Sequence, residues 1–252
     1  MNQETIYWKL AWDTFHLQVF DYEGDVGRIN DWIEKENFDI RSILEIGCGA
    51  GRYLISLEKL GYKCVGVDKD IDILEYAKQF VLKNETDIKL MQGDVLRKIH
   101  SILKSKFDLV LAKHLSFSLS DLGKVLDYAK KALTLDGPRL LVFDFLVASG
   151  DSFDKNILSI DNAVKDNFFL VRLNQMKLRE KFNKYCWGEV YIIRETQSGF
   201  TVTKTNQRSL WFISRDDLEK LLTDKGIKVE NELEEITGVN NLKGVTIYGR
   251  FS

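Results

Sequence analysis

The chain has 252 residues, 44% of them hydrophobic and 29% charged, with a formal net charge of -2. That length can bury a continuous core, as one large domain or one domain with a modest insertion. The near-neutral balance argues against a broad nucleic-acid surface and against a disordered acidic tail.

No apolar run approaches the roughly 20 residues that cross a bilayer. The opening stretch, MNQETIYWKL, has no basic segment followed by an apolar one, so a cytoplasmic protein without membrane contact is expected. Cys48, Cys64 and Cys186 are odd in number and widely spaced, which fits reduced thiols. His16, His100 and His114 are the only histidines and none is spaced as a ligand pair, so no metal site is expected.

Up to Tyr22 the chain is rich in aromatics, and Trp8, Trp12 and Phe15 follow the i, i+4, i+7 spacing of an amphipathic helix. A second helix is predicted over Val26 to Glu36. From Arg41 short apolar runs alternate with helical patterns. SILEIG, KCVGVD, IKLMQGD, FDLVLA and RLLVFDF are predicted as five strands, with helices over Arg52 to Leu60, Ile71 to Asn84 and a face marked by Leu122, Val125, Leu126, Ala129 and Leu133. Fivefold strand and helix alternation implies a doubly wound, largely parallel sheet, with ligands at the carboxyl ends of its strands. After Phe145 the rhythm changes. FFLVRL, GEVYIIRE and FTVTKT, separated by polar turns, predict a small antiparallel insertion over 151–211. Ser214 and Asp217 then open another helix, and Ile227 to Glu230 and Val245 to Phe251 are the last two strand candidates.

The chemistry is concentrated in SILEIGCGAGR, Ser42 to Arg52. A nicotinamide turn needs G-x-G-x-x-G, and counting from Gly47 and Gly49 the third glycine position is Arg52. A triphosphate loop needs Gly-Lys-Ser/Thr, which does not follow. Gly51 instead completes G-x-G-x-G, and Glu45 stands two residues before the first glycine, at the end of a buried strand. A carboxylate there would repel a pyrophosphate but suits a ligand carrying an ammonium and a sulfonium.

LEIGCGAGR resembles the first motif of the class I S-adenosylmethionine-dependent methyltransferases, (D/E)-x-G-x-G-x-G. The resemblance runs from about Ser42 to Phe145 and resumes from Trp211. It implies a Rossmann-like, seven-stranded, mostly parallel sheet with the small antiparallel β insertion, and S-adenosylmethionine as cofactor. Asp68, ending CVGVD 23 residues after Glu45, matches the acidic residue that takes both ribose hydroxyls. A helix cap is the alternative role for it. Asp94 in MQGDV matches the acceptor of the adenine amino group, with the Val95 amide beside it, and a simple turn aspartate is the alternative. The implied cofactor set is Glu45, Gly47, Cys48, Gly49, Gly51, Asp68, Lys69, Asp94, Val95, Ala112 and Lys113. The loop before the fifth strand departs from the family's L-x-P-G-G, since Leu135 replaces the proline and Pro138 the second glycine.

On this resemblance 41–150 and 212–252 form the cofactor-binding domain, 1–40 a helical N-terminal lid and 151–211 a substrate lid. The expected reaction is methyl transfer to a nitrogen or oxygen of a small-molecule acceptor. The (D/N)-P-P-(Y/F) motif of adenine and amide methylation is absent, because its place reads AKHL. RNA or protein acceptors, or a non-catalytic cofactor-binding module, are the competing readings. His114, just after the fourth strand, is the candidate general base, against a polar loop histidine. Tyr7, Trp8, Trp12 and Tyr22 are candidate substrate contacts through their ring faces, against core packing. Cys48 fits a small buried filler better than a nucleophile. Nothing in the sequence marks the acceptor or the oligomeric state.

Overall fold

The computed structural model describes residues 14–18, 20–97, 106–150, 153–165, 168–196, 198–204, 209–237 and 241–252. Thr14 to Gln18 are helical. Helix α1 (Tyr22–Lys35) leads to β1 (Ser42–Ile46), α2 (Arg52–Lys59), β2 (Lys63–Asp68), α3 (Ile71–Lys83), β3 (Lys89–Gln92) and β4 (Leu109–Ala112). Then come α4 (Leu119–Ala132), β5 (Leu140–Ala148), β6 (Asn156–Lys165), β7 (Phe168–Arg179), β8 (Lys184–Thr196), β9 (Gly199–Lys204) and β10 (Ser209–Ser214). Helix α5 (Arg215–Lys225), β11 (Ile227–Ile236) and β12 (Leu242–Phe251) complete the described chain.

The main sheet runs β3-β2-β1-β4-β5-β12-β11. Strands β1 to β5 pair parallel, and β12 lies antiparallel to both β5 and β11. Alternate residues of its central strands face opposite ways, and both faces are covered, so whole strands read as apolar. Leu44, Ile46, Val110, Leu141 and Phe143 pack against α4 and α5. Ile43, Leu109, Leu111, Leu140 and Val142 pack against α1, α2 and α3. This is the doubly wound, mostly parallel sheet expected of the sequence.

The helix starts have local causes. Asp21 accepts from the Gly24 amide and begins α1 four residues before the predicted Val26. Asp70 caps α3, and Ser118 and Ser214 cap α4 and α5. The cap of α3 is therefore not Asp68.

Strands β7 and β8, of 12 and 13 residues, are longer than the sequence suggested. Strand β6, which no pattern predicted, pairs with β7 from Asn156↔Lys177 to Lys165↔Phe168. Its alternation is hidden because Leu158 and Ile160 face solvent, at 75% and 66% exposure. Strand β10 joins the two regions: it pairs antiparallel with β8 and parallel with the last residues of β5, Phe212↔Leu146 to Ser214↔Ala148.

Candidate active site

The carboxyl ends of β1, β2 and β4 meet at the glycine turn. Gly47, Gly49 and Gly51 have φ of 71°, 50° and 74°, a left-handed region that costs any residue with a Cβ. A Cβ on Gly49 or Gly51 would meet no neighbouring atom within 4 Å, so no side chain packs directly on the backbone there. The turn is held from behind: the Gly47 and Cys48 amides both donate to the Val67 carbonyl, at 2.7 and 3.1 Å.

Two carboxylates flank the turn in different states. Asp68 accepts from the Gly49 amide through Oδ2 (3.0 Å) and from the Asp70 amide through Oδ1 (2.9 Å), so it both shapes the turn and faces its rim. Glu45 is 2% exposed, and its Oε2 is buried without a hydrogen-bond partner. Burial, reinforced by the nearby Asp68 charge, pushes its carboxyl well above the usual range. A lone buried carboxyl is costly unless something positively charged or hydrogen-bonding reaches it. The residues present therefore fit a ligand with a cationic group at the turn.

The other expected cofactor residues divide by side chain and backbone. The Cys48 side chain packs down on β2, its Sγ 2.7 Å from where a Cβ on Gly66 would sit, so only its backbone belongs to the turn. Burial, then the Glu45 and Asp68 charges, raises its thiol pKa well above normal. Asp94 accepts from the Leu96 amide at 3.0 Å and lies 3.4 Å from Arg97 Nε, while Val95 packs on the core edge. Lys69 is exposed and Ala112 buried. Arg52, at the position of the missing glycine, lies over the Phe80 ring of α3, 3.8 Å from its centroid.

Beyond β4 a buried polar network appears that the sequence did not announce. Lys113 Nζ sits 2.7 Å from Asp25 Oδ2 on α1, 3.2 Å from Thr246 Oγ1 on β12 and 3.8 Å from Asp144 Oδ2 on β5. Its side chain is committed to this network. Asp25 also accepts from Arg28, and from the Tyr53 hydroxyl at 2.6 Å. Burial opposes ionisation of Asp25, but the Lys113 charge and the hydrogen bonds from Lys113, Tyr53 and Arg28 hold its carboxyl below the usual range. Burial, then the Asp25 charge, moves the Tyr53 phenol far up.

His114 joins the network from the loop side. Its backbone is left-handed, with φ of 57°, and its amide donates to Asp144 Oδ1 at 2.7 Å. Ring atom Nδ1 lies 3.2 Å from Asp144 Oδ2, and Nε2 lies 2.6 Å from the Tyr53 hydroxyl. Phe20 stacks on the imidazole at 3.7 Å between centroids, and Tyr22 meets it edge-on at 5.9 Å. Tyr22 thus stands beside His114, whereas Tyr7, Trp8 and Trp12 lie outside the described residues. The next residue, Leu115, covers Gly47 and brings this loop against the glycine turn. Sequence reasoning missed Phe20, Asp25, Tyr53 and Thr246. Asp144 did leave a signal, as the one charged residue within the apolar run of β5. Among the described residues no group of three or more His, Cys, Asp or Glu is placed to hold a metal ion.

This strand order, with an acid-flanked glycine turn after β1, is the fold of the class I S-adenosylmethionine-dependent methyltransferases. In fold the chain is similar to them, and residues 43–137, under half of its length, match a family model described as a methyltransferase domain. Over 97 residues the chain is 33% identical to the ribosomal protein L11 methyltransferase of Thermotoga neapolitana, a match covering 38% of this chain and 36% of that protein. The chain thus spans about a third of that curated relative. Solved structures align over nearly all of it. An S-adenosylmethionine-dependent methyltransferase from Clostridium acetobutylicum superposes with a TM-score of 0.76 at 16% identity, covering 98% of this chain and 99% of that one. The sugar N-methyltransferase KedS8 from a Streptoalloteichus species gives 0.72 at 18%, covering 96% and 93%.

Proposed function

We propose that the protein transfers a methyl group from S-adenosylmethionine to a nitrogen or oxygen of a small-molecule acceptor. The observation that carries this reading is the buried, unpartnered Glu45 oxygen at the foot of a glycine turn whose outer surface is bare backbone. When bound, the cofactor supplies a methyl group already attached to a cationic sulfur. The chain's own residues bind, orient and exclude water. Glu45 would face the cationic end of the cofactor. Gly47, Cys48, Gly49 and Gly51 would present backbone, and Asp68 its two oxygens to the ribose with Lys69 beside it. Asp94 and Val95 would take the adenine, and Ala112 and Lys113 would line the wall towards the acceptor.

His114 would take the proton that an amine or hydroxyl acceptor sheds. Doing so means that Nε2 exchanges its bond to Tyr53 for one to the acceptor. Fixed geometry of this kind contributes roughly 7 to 11 kcal/mol to a transfer in favourable cases. The aromatic wall of Phe20 and Tyr22 suits an acceptor bearing a cationic amine, in keeping with the sugar N-methyltransferase among the structural neighbours. Segments 1–40 and 151–211 would act as lids over the domain formed by 41–150 and 212–252, with Tyr7, Trp8 and Trp12 as further acceptor contacts.

A protein or RNA acceptor is the second reading, supported by the likeness to a ribosomal protein methyltransferase. Salt-sensitive retention on RNA at low ionic strength would favour it. The primary test is binding of S-adenosylhomocysteine followed by calorimetry and melting. At a hundredfold excess over its dissociation constant the ligand should stabilise the protein by about 2.7 kcal/mol, and Asp68→Ala should abolish that gain. No binding to the wild type, or full binding to the variant, would overturn the proposal.

A further inference from the structure

We infer that the sheet of β6, β7, β8 and β9 docks face to face on the same sheet of a second copy of this chain, so that the protein associates as a two-fold dimer. The observation that carries it is an inverted burial pattern. In the outer part of this sheet apolar side chains stand in solvent while polar ones are half-buried.

Directly opposed residues of an antiparallel pair share a face, and so do residues two apart along a strand. The register therefore assembles one face from four strands. Its rows set Leu158 beside Gln175, Ile160 beside Leu173, and Asn162 beside Val171, Ile193 and Val202, with Phe200 in the next row. Leu158, Ile160, Phe200 and Val202 are 75%, 66%, 68% and 60% exposed, and Val171, Leu173 and Ile193 are half-buried. Ser159 and Asp161, on the opposite face of β6, are less exposed than their apolar neighbours Leu158 and Ile160. A one-sided antiparallel sheet normally turns its apolar residues to the core. Here seven of them form one surface open to water, which marks a place of association.

The make-up of the patch selects its occupant. Among the described side chains of this face the polar ones are Asn162 and Gln175, and the charged register positions, Glu189, Glu195 and Lys204, fall at its perimeter. A two-fold axis sets a patch against itself, which a charged centre would oppose and a flat apolar centre favours. Four strands about 4.8 Å apart and four rows about 6.7 Å apart give roughly 500 Å² per copy, or about 1,000 Å² for the pair, the threshold of specific association. The edge of β6 is already partly taken, because Gln18 Nε2 donates to the Asn162 carbonyl at 3.1 Å. At the end of the sheet nearest the main domain, Ile157, Met176 and Leu178 pack with Tyr185, Phe212 and Leu242. The outer face is what remains for a second chain.

The test is the mass of the full chain in solution, by sedimentation equilibrium at about 100 μM, a hundredfold above a micromolar dissociation constant. The wild type should read twice the 29.2 kDa of one chain. Ile160→Lys and, separately, Val202→Asp place a charge within the patch, and each should return the mass to 29.2 kDa at the same concentration. Both positions are exposed in the single chain, so the far-ultraviolet spectrum of each variant should match that of the wild type. Should one variant fail to fold, the other and the wild-type mass decide the matter. A wild-type mass of 29.2 kDa, or a dimer that the folded variants leave intact, overturns the inference. So does a monomeric wild type that binds neutral phosphatidylcholine vesicles and loses that binding in the variants, since lipid would then be the occupant.

Discussion

Removing Asp25 should destabilise the protein far more than removing a surface carboxylate. Lys113 is 1% exposed and Asp25 6% at the side chain, and their closest approach is 2.7 Å. In Asp25→Ala the ammonium would stay buried. It would keep only the Thr246 hydroxyl at 3.2 Å and the more distant Asp144 oxygen at 3.8 Å, while the Tyr53 hydroxyl would lose its acceptor carboxylate. Breaking one side of a buried pair costs about 3 to 5 kcal/mol, and the remaining carboxylate argues for the lower end, about 3 kcal/mol. For a chain of this size each kcal/mol lowers the melting temperature by about 2 to 4 °C, so a fall of about 6 to 12 °C is expected. Replacing both partners, Asp25→Ala with Lys113→Met, removes the stranded charge and should recover much of the loss. Because Asp25 titrates below its unfolded value, about 3.9, its stabilisation is complete above about pH 4. It fades as the pH falls from there through the folded-state value. Differential scanning calorimetry of the two single variants and the double variant between about pH 3 and 8 measures all of this. A fall below about 2 °C for Asp25→Ala at neutral pH, or a double variant as unstable as the sum of its parts, would refute the reasoning.

Two further outcomes follow from the buried acids and thiols. The Glu45 carboxyl titrates above its unfolded value, so in the free protein stability should decline as the pH rises from the unfolded value, about 4.3, towards the folded one. Glu45→Gln should remove that decline and weaken S-adenosylhomocysteine binding, and parallel urea melts at about pH 5 and pH 8 would show whether the slope persists. Cys64 is buried with its thiol pushed up to about 12, and Cys48 is buried in the turn, whereas Cys186 is partly exposed. A thiol-specific dye at mildly alkaline pH should therefore modify Cys186 first and reach the other two only on unfolding, and rapid reaction of all three would contradict this packing.

The region from Ser42 to Phe145 was legible because each of its elements satisfies local rules. Apolar runs end in polar turns, helices carry a clean inner face, and Gly47, Gly49 and Gly51 occupy positions whose left-handed backbone only glycine adopts cheaply. The antiparallel strands were harder. Strand β6 exposes Leu158 and Ile160, so its pattern does not alternate between a wet and a dry face. The link through β10 depends on which strand end it meets, and no residue type encodes that.

What the sequence determined by itself is the acid-flanked glycine turn and the order of strands around it, because close backbone approach and strand periodicity constrain residue types one position at a time. The polar network is different. Asp25, Tyr53, Lys113, His114, Asp144 and Thr246 are scattered over most of the chain, and each alone could be an ordinary surface or capping residue. Only the packing of α1 against the carboxyl ends of β4 and β5 removes them from water together. Burial then turns six unrelated polar side chains into one set of mutually required partners.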